Sequence, residues 1–131
     1  MPTATGPFDV TITPQETAPD SPVGRMRLHK QFHGDLDAVA TGEMIATSEP
    51  LTSAAVYVAI DRVTGTLHGR SGTFLLAHRG TMTPAEQQLS VIVVPGSGTG
   101  QLTGLSGTLA IHIVAKKHSY VLNYEIGDLV T

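Results

Sequence analysis

The sequence predicts an all-β fold: one antiparallel barrel of about eight strands over residues 1–131. Two observations carry this. Glycine (14) and proline (8) cluster between short runs rich in Val, Ile, Leu and Thr, which is strand punctuation. No stretch of a dozen residues holds a clean helical period, which leaves no room for crossover helices. Sequential antiparallel strands without helices make a sandwich or a meandering barrel, and closure into a barrel removes exposed sheet edges.

In order, Thr5–Thr13 reads as the first strand, and Pro14–Pro22 (PQETAPDSP) as a Pro-marked loop. Arg25–His33 is a second strand; Gly34-Asp35 turns it into Leu36–Thr47. Glu49-Pro50-Leu51 breaks the chain before Ala54–Leu67, the longest β-prone segment. His68-Gly69-Arg70-Ser71 turns, and Gly72–Thr81 returns. Thr83-Pro84-Ala85-Glu86 turns again into Gln88–Val94. Pro95–Gly107 is Gly-rich, with one helical turn expected between Gln101 and Leu105. Thr108–Ala115 and His118–Ile126 form a last hairpin around Lys116-Lys117. The pattern L-x-G-x-S-G-T-[FL] occurs at Leu67–Phe74 and again at Leu102–Leu109, and reads as two similar turns entering strands.

Composition excludes several function classes. There is no cysteine, so disulfides, thiolate nucleophiles and Cys-ligated metals are out. A net charge of -3 argues against nucleic acid as partner. No run approaches 18 apolar residues, so no membrane-spanning helix is expected. Met1–Val10 has neither basic nor apolar leader character, which makes the cytoplasm the expected compartment. The run Pro95-Gly96-Ser97-Gly98-Thr99-Gly100 lacks the Lys and Ser/Thr ending of a phosphate loop and reads as a structural crossover. His29 and His33 lie on one strand face about 13 Å apart at ~3.3 Å per residue, too far for one ion. The nearest metal set would be His78, His118 and Glu43 across neighbouring strands; no metal and no organic cofactor is expected. No nucleophile elbow surrounds any serine.

The order and spacing of several motifs resemble one family. They are Arg62–Leu67, Gly69–Phe74, His78–Thr81, Val93–Gly100 (VVPGSGTG), Leu102–Gly107, His118-Ser119-Tyr120 and Tyr124. Upstream Phe32–Leu36 and Gly42-Glu43-Met44 also fit. The sequence resembles a family of small bacterial proteins of unknown function with an allene-oxide-cyclase-like barrel. That resemblance covers nearly the whole chain and implies an eight-stranded, lipocalin-like closed barrel paired as a homodimer. It supplies no reaction.

Strand parity points to candidate site residues. Phe74, Leu76 and His78 share one face, and His118, Tyr120, Leu122 and Tyr124 share another. The expectation is an apolar cavity lined by Phe74, Leu76, Tyr57, Tyr120, Leu122 and Tyr124, with His78 and His118 as polar points. A small apolar molecule would bind there. Either histidine could serve as a general base, with Glu43 or Asp61 as base or orienter. The primary expectation is small-molecule binding. Alternatives are a cofactor-independent isomerase, cyclase or eliminating lyase, and a structural or partner-binding module. Both faces of several strands are apolar, which a dimer covering the outside would explain.

Overall fold

The computed structural model describes residues 2–47, 55–83 and 86–127. Eight strands run as β1 (Thr3–Gln15), β2 (Val23–Phe32), β3 (Leu36–Thr47), β4 (Ala55–Leu67), β5 (Arg70–Met82), β6 (Gln87–Val93), β7 (Leu105–Val114) and β8 (Lys117–Ile126). Each pairs antiparallel with the next, and β8 pairs with β1, closing the barrel. The sequence's all-β antiparallel barrel is therefore correct, and among the described residues no helix is long and apolar enough to cross a membrane.

Several element ends differ from the sequence reading, for local reasons. β1 continues through Pro14 to Gln15, opposite Met26 and Arg25. Proline is tolerated because β8 pairs β1 only over Thr3–Phe8, so the missing N–H of Pro14 falls on an unpaired edge. The β4–β5 turn is two residues, not four: His68 and Gly69 both take positive φ (46° and 80°), the twist a tight hairpin requires. The last hairpin turns at Ala115-Lys116 (φ 52° and 66°), one residue earlier than expected. The Glu49-Pro50-Leu51 break, Ala54, Pro84 and Ala85 lie outside the described residues. In the repeated pattern, Gly69 and Gly104 both have positive φ (80° and 87°), so the echo marks two left-handed turns.

The Gly-rich run is a crossover, as its sequence suggests. After β6 ends, the loop lies along the first half of β5 and supplies that edge with partners. Ser97 Oγ accepts from Leu75 N–H (3.0 Å), Thr99 Oγ1 from Thr73 N–H (3.0 Å) and Gln101 Oε1 from Ser71 N–H (2.8 Å). A single 3-10 turn, Gly100–Leu102, then drops Leu102 fully buried into the barrel end.

The two halves of the barrel differ. One end is solid. Leu36, Leu67, Phe74, Leu76, Leu102, Leu105, Tyr120 and Leu122 are almost completely excluded from solvent. The Tyr120 hydroxyl locks the β2–β3 turn there, accepting from Leu36 N–H (2.8 Å) and donating to the His33 carbonyl (2.6 Å). The rings of Phe8, Phe32 and Tyr120 pack above, tilted and edge-on, with centroids 5.3 and 5.5 Å apart. At the other end the inward side chains spread apart and a cavity opens.

Candidate functional site

The cavity has a volume of about 410 Å³ and opens at the end bearing the β1–β2 and β7–β8 connections. That size falls in the range of small-molecule sites, roughly 300–1,000 Å³. Its wall is apolar: Val10, Ile12, Met26, Leu28, Met44, Ala59, Leu89 and Ile111 contribute, each from the inward set of its strand. Tyr57 lies on the wall because its ring sits over Gly80, its β5 partner, in the space where a Cβ would stand. Burial raises the Tyr57 phenol above its ordinary pKa, so it stays protonated.

The floor is polar. Lys30 and His78 both line the cavity and are otherwise buried (6% exposed each). Both meet Asp61, which is wholly buried. Asp61 Oδ2 accepts from Lys30 Nζ and from His78 Nε2, each at 2.7 Å, and Nζ lies 3.5 Å from Nε2. The three residues come from β2, β4 and β5, so Lys30 must reach over β3 to Asp61. It can because β3 presents only Ala40 and Gly42 at that level, opposite Lys30 and Leu28. Gly42 also stands beside Asp61, and a Cβ there would fall 2.2 Å from Asp61 Oδ1. Oδ1 itself has no hydrogen bond among the described residues.

Asp61 is ionised. Burial by itself would raise its carboxyl, but the His78 hydrogen bond and the charge and hydrogen bond of Lys30 outweigh that and hold it below the ordinary carboxylate range. The floor is therefore an ammonium–carboxylate pair with an imidazole attached.

The sequence-predicted site residues divide three ways. His78, His118 and Tyr57 are on the cavity, His118 at half-burial with its ring 5.2 Å from that of Phe8. Phe74, Leu76, Tyr120, Leu122 and Tyr124 do point inward, but they fill the solid end and line no part of the cavity. This corrects the expected lining: parity gives the face, not the depth along the axis. Tyr124 bonds to His68 at the closed rim instead. Glu43 is a second correction. Gly42 and Met44 point inward, so the Glu43 carboxylate is outside, half-exposed or more and paired with Arg25 at 3.3 Å. It cannot act with His78 or join it at a metal, and among the described residues no cluster of three His, Asp or Glu is arranged for an ion.

The residue that sequence reasoning missed is Lys30. The available signal was its setting: Met26, Leu28 and Phe32 share its face, so one cation interrupts an apolar row. Asp61 interrupts Tyr57, Ala59 and Val63 in the same way. Two opposite charges on two core-facing rows suggest a buried pair.

Outside, an apolar patch crosses β3, β4 and β6. Val39, Ile45, Val58, Ile60 and Ile92 are each 39–50% exposed. Ile45 and Val58 are register partners, and Ile60 connects to Ile92 through Ala77 of β5, while Val39 stands apart opposite Thr64.

Comparison with known proteins places this architecture. Residues 4–124 match the model of a family described as "Protein of unknown function (DUF3224)". The crystal structure of a protein of unknown function from that family, from Shewanella oneidensis, superposes with a TM-score of 0.91 at 42% identity, covering 98% of this chain and 99% of that one. No curated protein matches. With the family model spanning nearly all of the barrel and the related structure sharing its fold end to end, this chain belongs to the DUF3224 family.

Proposed function

We propose that the protein is a small-molecule-binding barrel that takes a mostly apolar ligand through its open end. The observation that supports this most is the contrast between the halves: one is packed solid, while the other leaves about 410 Å³ against a buried Lys30–Asp61–His78 floor. A chain that needed only stability would gain by filling that volume, since voids in a core are destabilising. Apolar walls with a few convergent polar groups are the usual form of a ligand site.

A ligand specific for the folded barrel raises its melting temperature, by several degrees when present at a hundred times its dissociation constant. A thermal-shift screen of medium-chain alkanes, alcohols, ketones and carboxylates is expected to yield such compounds. Ala46→Phe, which fills the mouth from β3, is expected to fold and to lose the response. A flat response across the whole series in the wild-type protein contradicts the reading.

The outer patch completes the proposal: a second copy covers it. The patch is built of side chains, so association there goes through side chains. The patch carries both signs at its rim, Glu43 on one side and Arg62 and Arg27 nearby, which suits a self-complementary contact. Sedimentation at micromolar concentration is expected to give a dimer, and Ile60→Lys a monomer; a monomeric wild type contradicts this part.

A further inference from the structure

We infer that the open end of the barrel docks on an anionic lipid surface, with the tip of the β7–β8 hairpin as the inserting element. The inference goes beyond the ligand-binding reading and is tested apart from it. Four observations carry it.

The mouth has an apolar collar. Ile12, Met82, Leu89 and Ile113 come from four different strands, line the cavity and are still 39–62% exposed. Met26, Ala46 and Ala55 continue the ring, and no member of it is charged. Taking such a ring out of water is favourable, and a contiguous exposed apolar surface marks a place of contact.

The hairpin tip stands clear of the neighbouring strands. Among the described residues β7 pairs with β6 only at Ile92–Thr108, and β8 pairs with β1 only from His118 onward. From Leu109 to Lys117 the ladder therefore runs only within the hairpin. Ile113 and Val114 sit on this tip, 62% and 72% exposed, the two most exposed large apolar side chains among the described residues. Neighbours in a strand point to opposite faces, so the tip is apolar on both.

The charge beside the tip is basic. Lys116 and Lys117 follow directly, and both are exposed. They are the only residues of fixed charge between Gln87 and Tyr124, in a chain that holds 11 Asp and Glu and a net charge of -3. Asp9 shares a surface groove with the two lysines, but its carboxylate is engaged with His33 at 3.1 Å. Two lysines next to an apolar tip match anionic head groups lying over hydrocarbon, and each strengthens partitioning about fivefold.

The carboxylates at this end set the tilt. Glu16 and Asp20 stand on the β1–β2 connection and Glu86 on the β5–β6 connection, all exposed. An anionic surface repels them and attracts the lysines. The barrel therefore leans on its hairpin instead of standing squarely on its mouth.

The test uses vesicles of phosphatidylcholine with and without phosphatidylglycerol, and no added ligand. The chain has no tryptophan, so one can be introduced as the sole reporter. Val114→Trp places it at the tip, and Ser106→Trp at the far end of β7, about 27 Å away at ~3.4 Å per residue. Both replace exposed side chains that do not line the cavity. Vesicles containing phosphatidylglycerol are expected to sediment the wild type, to shift the Val114→Trp emission to the blue and to leave Ser106→Trp unchanged. Added salt is expected to weaken the binding. Lys116→Gln with Lys117→Gln is expected to lose about twenty-fivefold in partitioning, and Val114→Asp about tenfold or more. Both variants are expected to keep the wild-type melting temperature. The inference is overturned by no sedimentation with anionic vesicles, by equal binding to phosphatidylcholine alone, by a blue shift in both reporters, or by undiminished binding of the lysine variant. It also falls if Val114→Asp, and not Ile60→Lys, abolishes a dimer in solution, because the tip is then a protein contact. Thermal-shift binders in free solution leave the ligand reading standing in each of these cases. Vesicle docking by a chain that gives no such binder overturns the ligand reading alone.

Discussion

Asp61→Ala is expected to destabilise the barrel by about 3–5 kcal/mol at neutral pH, the cost of leaving one member of a buried ion pair without the other. Lys30 is the member left behind, with its side chain only 8% exposed and its head otherwise near His78 alone. The double replacement described below separates this from loss of packing. The wild type depends on pH at the acid end. The folded-state pKa of Asp61 lies below its ordinary value, so its contribution is fully present above the unfolded-state pKa, near 4, and is lost as pH falls through the folded-state value. Replacing both charges, Lys30→Met with Asp61→Leu, should recover most of the loss, because apolar substitutes for a buried pair are often neutral or better. An Asp61→Ala variant within 1 kcal/mol of wild type shows that the pair does not form.

Phe32→Ala is expected to cost a similar amount, about 3–5 kcal/mol. Phe32 is 1% exposed, pairs in register with Phe8 and meets Tyr120 edge-on at a centroid distance of 5.5 Å. It stands two residues from Lys30 on the same face of β2, one layer deeper. Its removal therefore opens a void directly beneath the floor. The consequence for function is specific: the polar floor loses its support, and the boundary between packed and open halves moves down the axis. Ligand response in the thermal shift is expected to move toward longer apolar compounds in this variant. A loss below 2 kcal/mol, measured by urea unfolding, would mean that Phe8 and Tyr120 collapse into the gap.

Both predictions concern one boundary across the barrel, where packed aromatics give way to a charged floor and then to open space. Phe74, Tyr120, Phe32 and the closing leucines close over Ala4, Ala38 and Ala40 at one end, while Met26, Met44, Tyr57 and Ile111 stand apart around the cavity at the other. An eight-stranded barrel is only just wide enough to hold side chains or one small ligand, and this one does each in one half.

Sequence alone determined the strands, because alternation and turn chemistry are local. Leu36–Thr47 comes out with identical bounds in the structure, and β4 ends at Leu67 as read, with Ala54 outside the described residues. Where the ends moved, the deciding facts were tertiary. Pro14 stays in β1 because β8 has left that edge, and no local rule records where a distant strand stops. Parity likewise placed His78 and His118 on inward faces, and their cavity positions follow.

Depth along the barrel axis was decided only by the tertiary structure. Phe74 and His78 share a face and a strand, yet one is in the plug and the other on the floor of the cavity. The difference depends on how the strands stagger around the closed sheet, which is a property of all eight together. The Lys30–Asp61–His78 cluster was decided the same way. Three strands had to come into register, and Ala40 and Gly42 had to keep β3 low enough for a lysine to reach across it. A sequence states which residues face inward, because a strand repeats every two residues; which of them meet is set by closure.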